Sequence, residues 1–276
     1  MPDTKHDIRP GQSIELLKEL HILTRDGRMN QDSRRKLKQV YHLYQFIEPL
    51  LEEARAQNEN MRLVDHGAGK SYLGFILYDL FFKQKAGGAH VFGIETRTEL
   101  VDRSRELAAR LGFTGMSFLN LTVGQSIDSG LLPPRVDVVT ALHACDTATD
   151  DAIRFALAKQ AASIVLVPCC QAEVAAVLRR NKGRALGNPL AEIWRHPLHT
   201  REFGSHVTNV LRCLQLEAHG YQVTVTELVG WEHSMKNELI VARYKDLPRR
   251  KPAERLSELI ESLGLAELSG RFFTAA

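Results

Sequence analysis

The chain has 276 residues, of which 44% are hydrophobic and 25% charged, and a formal net charge of +3. That balance suits one large globular domain or a domain with appendages, and so small a positive excess does not by itself call for a polyanionic partner. No apolar run approaches the roughly 20 residues of a membrane helix, and four cysteines, two of them adjacent, do not make a disulfide framework.

Met1 to Pro10 is polar and contains acids, with no apolar core to serve as a signal peptide. A cytoplasmic protein with reduced thiols is therefore expected. Ile14, Leu16, Leu17, Leu20 and Leu23 predict a short amphipathic helix. Arg25-Asp26-Gly27-Arg28 and Asn30 read as a turn. Ser33 is a candidate cap for a second helix, on which Leu37, Val40, Tyr41, Tyr44, Ile47 and Leu51 recur at helical spacing. Arg34, Arg35, Lys36 and Lys38 in its early turns form either a solvated face or an arm that touches phosphates. Residues 1–58 are thus read as a helical extension.

From residue 61 the rhythm becomes strand and helix. Strands are expected at Met61–Val64, His90–Glu95, Met116–Leu119, Val136–Leu142 and Ser163–Val167. Helices are expected at Ser71–Phe82, Thr98–Leu111 and Thr149–Gln160. Such alternation predicts a parallel sheet covered on both faces. A basic insertion, about 179–204, holds Arg179, Arg180, Lys182, Arg184, Arg195 and Arg201 with Trp194 and Phe203. A helix (about 205–219) follows. Tyr221–Val229 and Asn237–Tyr244 are β-rich and so closely joined that they must pair antiparallel. The main domain is read as 59–246. Residues 247–276 form a basic stretch and a short helix carrying Leu256, Leu259, Ile260 and Leu263.

The most informative stretch is Arg62-Leu63-Val64-Asp65-His66-Gly67-Ala68-Gly69-Lys70-Ser71-Tyr72, where a strand breaks into a glycine turn before a helix. Such a turn presents backbone N–H groups and a helix N-terminus to a ligand. A Walker A loop needs a glycine where Val64 stands. A dinucleotide fingerprint needs a small residue where Tyr72 stands. What remains, Asp65-x-Gly67-x-Gly69, suits a ligand with a cationic group and a ribose. Glu95, ending the second strand, stands where an acid accepts hydrogen bonds from ribose hydroxyls.

These residues, the Phe92-Gly93-Ile94-Glu95 strand end and the terminal hairpin resemble the class I S-adenosylmethionine-dependent methyltransferases over roughly residues 60–245. The resemblance implies an α/β, Rossmann-like seven-stranded methyltransferase sheet with the last strand antiparallel, here preceded by N-terminal helices. It implies S-adenosyl-L-methionine as cofactor, with Asp65 and Gly67 at its methionine part, Gly69 among the cofactor-binding residues and Glu95 on the ribose. Gln125 and Ser126 fall where the family usually places an acid contacting the adenine amino group. Gln125 departs from that acid but keeps an acceptor oxygen. A finer resemblance is carried by His143-Ala144-Cys145-Asp146-Thr147-Ala148-Thr149-Asp150, together with Cys169-Cys170 and Lys236-Asn237. It is to a subfamily that includes a eukaryotic tRNA 2′-O-methyltransferase family, methyltransferase-like proteins and the methyltransferase part of proteins with a glutathione-transferase-like domain.

Methyl transfer from a sulfonium mainly requires alignment of the nucleophile and exclusion of water, with a general base only if the acceptor keeps its proton. His143, Asp146 and Cys169 are the candidate catalytic groups. His143 is a candidate to orient the cofactor or accept a proton. Asp146 either binds the acceptor or caps the next helix. Thr149 and Asp150 are expected to be helix caps. Cys169 and Cys170 are open to readings as packing, a substrate contact, a metal site with His143 and Cys145, or a thiolate nucleophile resembling that of pyrimidine C5-methyltransferases. Adjacent cysteines lack zinc-site spacing, and no metal is expected. The Asn/Asp-Pro-Pro-aromatic motif of amino methylation is absent after the fourth strand. His233, Ser234, Lys236 and Asn237 lie in the hairpin connection, within reach of an acceptor. The basic insertion and Arg249-Arg250-Lys251 make RNA the favoured acceptor, ahead of a protein side chain or a small molecule. A methyltransferase-like fold kept as a non-catalytic binding module is the contrasting expectation.

Overall fold

The computed structural model describes residues 8–85, 87–142, 144–168, 171–181, 192–193, 195–227 and 238–274. Two helices come first, α1 (Ile14–Glu19) and α2 (Gln31–Gln57). Asn30, not Ser33, caps α2: its side chain accepts from the Ser33 amide at 2.8 Å. An amide side chain at that position satisfies a donor the helix itself cannot. The chain then alternates: β1 (Arg62–His66), α3 (Tyr72–Leu80), β2 (His90–Glu95), α4 (Thr98–Leu111), β3 (Met116–Asn120), α5 (Val123–Asp128), β4 (Val138–Leu142), α6 (Thr147–Ala158) and β5 (Ser163–Val167). After α7 (Glu173–Arg180) and α8 (Pro197–Glu217) come β6 (Tyr221–Glu227), β7 (Glu238–Tyr244) and α9 (Arg250–Ser262).

The strands form one seven-stranded sheet in the order β3-β2-β1-β4-β5-β7-β6. β1 to β5 are parallel, and β7 runs antiparallel between β5 and β6. This is the expected Rossmann-like sheet. Alternation along each strand sends side chains to two cores. Leu63, Val138, Val165 and Leu239 pack with α2, α3 and α4 on one face. Val64, Val139, Ile164 and Ile240 pack with α6 and α8 on the other. A third cluster joins α7, α8 and α9 through Val177, Leu211, Leu256 and Ile260.

Two sequence expectations change. Most of the expected insertion's end belongs to α8, which begins at Pro197 rather than near 205. Proline suits a first helical position because its missing N–H would have no partner there. Thr149 and Asp150 are not caps but sit inside α6, both buried. Among the described residues, no helix is long and apolar enough to cross a membrane.

Candidate functional site

The carboxyl ends of β1, β2, β4 and β5 meet on one edge of the sheet, where an open parallel sheet places its ligand. β1 runs two residues further than the sequence suggests, so Asp65 and His66 are strand residues. The turn beyond them uses the left-handed region three times, at Gly67 (φ +66°), Gly69 (φ +58°) and Ser71 (φ +51°). Glycine adopts that conformation without the side-chain clash other residues meet. The Ala68 amide donates to the Ile94 carbonyl at 2.9 Å, tying the turn to the end of β2.

Asp65 lies behind the turn, 2% exposed. Its carboxylate accepts from Thr140 Oγ1 at 2.9 Å and from the Gly74 amide at 3.3 Å. It thereby joins β1 to β4 and serves the third amide of α3, a donor with no partner inside the helix. Gly74 leaves the room: a Cβ there would come within 2.6 Å of Ser71 Oγ and 3.3 Å of Asp65 Oδ2. Burial pushes the Asp65 carboxyl up to about 6, against the hydrogen bonds from Thr140 and Gly74. Tyr72, the bulky residue that argues against a dinucleotide, packs among the N-terminal helices, away from the turn.

Glu95 ends β2, 8% exposed. Its Oε2 accepts from the Gly69 amide at 2.8 Å, and its Oε1 accepts from the Thr96 and Arg97 amides, each at 3.0 Å. Arg97 adds Nε at 3.1 Å and Nη2 at 3.3 Å. Burial alone would raise this carboxyl, but these donors outweigh it and hold it below the usual range. Glu95 therefore stays an anion, facing an acceptor-poor turn whose glycines carry no side chain.

His66 is 6% exposed and lies 5.1 Å from the Phe155 ring. Neither ring nitrogen has a hydrogen-bond partner among the described residues. Burial lowers its basicity to about 4, with nearby Glu95 opposing, so the ring is neutral at pH 7. A buried imidazole beside the turn with nothing to bond is the unusual feature of this edge, since such groups are almost always paired.

The two residues expected at the adenine have local tasks. Gln125 and Thr122 form a reciprocal cap at the start of α5. Gln125 Oε1 accepts from the Thr122 amide at 2.9 Å. Ser126 is fully buried and donates to the Val123 carbonyl at 2.8 Å.

Of the residues expected at the acceptor, His143, Cys169, Cys170 and the hairpin residues 228–237 lie outside the described residues, as does Trp194. Asp146 has φ +50° and ψ −120°, a conformation few residues other than glycine adopt. Its side chain does not cap α6. Oδ1 reaches across to accept from the Ala172 and Glu173 amides at 3.0 and 3.3 Å, at the start of α7. Its carbonyl accepts from Arg212 Nη2 at 2.8 Å. The same fully buried arginine pairs with Asp150 at 2.7 Å. Sequence reasoning missed Arg212, Asn209, Gln171 and Glu238, although polar residues at helical spacing within α8 were a readable signal. Among the described residues, no group of three His, Cys, Asp or Glu side chains is placed to hold a metal ion.

A sulfonium nucleoside fits the cofactor half of this edge. A cradle of left-handed glycines, where a Cβ on Gly67 or Gly69 would stand 3.7 Å from Ala144 or Arg97, opens beside a fixed anion at the end of β2.

A family model described as a methyltransferase domain matches residues 35–177. Among curated proteins, none matches the chain. A proposed O-methyltransferase from Klebsiella pneumoniae is similar in structure, at 13% identity and a TM-score of 0.49, covering 87% of this chain and 93% of that one. The S-adenosylhomocysteine-bound methyltransferase PaMTH1 of Podospora anserina is similar at 12% identity and a TM-score of 0.46, covering 87% and 89%. Magnesium protoporphyrin IX methyltransferase of Synechocystis PCC 6803 is similar at 15% identity and a TM-score of 0.44, covering 84% and 93%. Likenesses this distant carry no argument about the acceptor.

Proposed function

Because this chain belongs to the methyltransferase-domain family and is an S-adenosylmethionine-dependent methyltransferase, we propose that it methylates RNA. The cofactor supplies a methyl group already activated on a sulfonium. The protein's part is to bind, orient and keep out water. In this reading Gly67 and Gly69 let the backbone approach the methionine part and Glu95 takes the ribose hydroxyls. Asp65 holds the turn from behind, and Gln125 and Ser126 border the adenine. His143, Asp146 and Cys169 border the acceptor, with Asp146 shaping the loop rather than exchanging protons.

One observation carries the choice of RNA. Ser205, two turns into α8, donates to Gln171 just beyond the end of β5 at 2.6 Å, and in this reading the N-terminal end of the helix faces the acceptor. It exposes Arg195, His196, His199, Arg201 and His206 beside the exposed apolar side chains of Ile193 and Leu198. Arg195 pairs with Glu192 and Arg201 with Glu202, both pairs at the surface. Exposed pairs of this kind are worth about 0.2–1 kcal/mol, so a phosphate competes for these guanidinium groups readily. Mixed cationic and apolar surface suits a single-stranded or looped RNA, whose phosphates and unstacked bases need both.

The test is transfer of labelled methyl from S-adenosylmethionine to total cellular RNA and to total cellular protein in parallel. Label in RNA, lost on treatment with ribonuclease, is expected. Label in protein alone overturns the RNA acceptor while leaving the methyltransferase intact.

A further inference from the structure

Beside the apolar side chains Val207, Leu211 and Leu216 that α8 buries, it also buries a polar row, where a helix face turned inward ordinarily carries only an apolar stripe. Ser205, Asn209 and Arg212 follow one another at i, i+4 and i+7, with Asn209 4% exposed and Arg212 fully buried. Arg212 gives Nε and Nη2 to the two oxygens of Asp150 at 2.7 and 2.9 Å, and Nη1 to Asn209 Oδ1 at 3.1 Å. Gln171 Nε2 donates to the same Asn209 oxygen at 3.2 Å. Two donors on one oxygen fix which way the Asn209 amide faces, because the flipped amide would set N–H against N–H. Its Nδ2 must then point outward, and it donates to Glu238 Oε2 at 2.7 Å.

Glu238 is the first residue of β7 and half-buried. The pairing of Leu166 with Ile240 brings Glu238 level with Pro168, at the carboxyl end of β5. That is the acceptor side of the sheet edge, next to the Asp146 loop that Arg212 also grips. Cys213 lies in the field of this carboxylate, and its thiol is pushed up to about 12 by burial, then by Glu238 and Glu217, so it stays uncharged. Replacing a buried ion pair and its amide with apolar residues of similar size commonly costs a fold nothing. An apolar stripe cannot, however, set the angle of a carboxylate at the strand ends, which this chain of Asp150, Arg212 and Asn209 does.

We propose that Glu238 is the acceptor-side carboxylate of the reaction, receiving the hydrogen bond of an O–H or N–H nucleophile. The inference rests on the methyltransferase reading. As the nucleophile's bond to the methyl carbon forms, the carbon–sulfur bond breaks with its electron pair left on sulfur, and the nucleophile's proton passes to Glu238. Asn209 and Arg212 are positioning residues for that carboxylate. The acceptor class is accordingly a hydroxyl or an amine that keeps its proton near neutral pH, which is where a base contributes.

The experiment compares wild-type protein with Glu238→Gln and Asn209→Ala. Labelled methyl transfer is measured to the RNA, protein and small-molecule fractions of a cell extract. Calorimetric titration with S-adenosylmethionine and thermal melting are run on the same samples. Glu238→Gln keeps an oxygen for Asn209 but cannot take a proton at neutral pH. It is expected to lower kcat on the labelled fraction by about 100-fold, with cofactor affinity and melting temperature unchanged and Asn209→Ala intermediate. Unchanged kcat in Glu238→Gln overturns the proposal, as does a loss of cofactor affinity or stability that accounts for its defect. Wild-type protein that labels no fraction removes the methyl-transfer reading, and this inference with it.

Discussion

Glu95 accepts the amide hydrogen of Gly69 at 2.8 Å, so the acid that ends β2 and the glycine turn that follows β1 form one unit. The same carboxylate takes the Thr96 and Arg97 amides, in the two residues that lead into α4. Its replacement therefore has two separable effects. Glu95→Gln keeps one acceptor oxygen but turns its NH2 toward amide donors, and should weaken S-adenosylmethionine binding about 10-fold at a stability cost of about 1 kcal/mol. Glu95→Ala should weaken binding further and destabilise the fold by about 1–3 kcal/mol through the Gly69, Thr96 and Arg97 amides left without their acceptor. Calorimetric titration and urea unfolding of both variants read the two effects.

Asp65 and His66 give stability opposite pH dependences. The Asp65 carboxyl, raised by burial to about 6, binds its proton more tightly in the folded protein than in the unfolded chain. Its contribution is full below the unfolded value near 3.8 and is lost as pH rises through about 6, an effect on the order of 3 kcal/mol. His66, lowered by burial to about 4, contributes fully above its unfolded value of 6.5, and the contribution is lost as pH falls through about 4. Relative to wild type, Asp65→Asn should therefore gain stability between pH 4 and pH 7, superimposed on a constant loss from the Gly74 bond. His66→Leu should gain as pH falls from 6.5 to 4. Melting temperatures across that range check both slopes.

Arg212 and Asp150 are buried together, and the cost of breaking them lies in the partner left behind. Arg212→Ala leaves the Asp150 carboxylate unpaired and should cost about 3–5 kcal/mol. The double replacement Arg212→Met with Asp150→Leu should recover most of that stability while still lacking the grip on the Asp146 carbonyl. Denaturant unfolding of the single and double variants gives the comparison. Recovery of stability without recovery of methyl transfer separates the pair's task at the site from its task in the fold.

Two glycines on helices should respond in opposite directions. At Gly204 a Cβ would come within 2.7 Å of the Ala175 backbone nitrogen and Cα, which cannot move aside as a flexible side chain would. Gly204→Ala should force α7 and α8 apart at a cost of about 1–3 kcal/mol. At Gly124, in α5, a Cβ meets nothing within 4 Å, and Gly124→Ala should gain about 0.5–1 kcal/mol. Thermal melting distinguishes the two.

The parts of the fold that follow from local pattern were legible. β2, α4 and β5 have the bounds their sequences suggest, because a continuous apolar run or an amphipathic stripe closed by Gly112 leaves little choice. The antiparallel pairing of β6 and β7 follows from their short connection alone. Long-range relationships were not legible. Asp146 looks like a cap for the helix beside it, yet its carboxylate serves α7, 26 residues further on. Asp65 reads as the start of the turn because periodicity stops at Val64. Thr140 on β4 and Gly74 on α3 are what draw β1 onward and bury it. The polar face of α8 carries a helical period in polar residues, a signal that a search for apolar stripes passes over.

The measurement that tests the central claim most directly is a calorimetric titration of the protein with S-adenosylmethionine, with Glu95→Ala alongside. Saturable binding by the wild type, at least 10-fold weaker in the variant, is the expected result. Folded wild-type protein that takes up no S-adenosylmethionine, or a Glu95→Ala variant that binds it as tightly, would contradict the cofactor site described for the turn between β1 and α3.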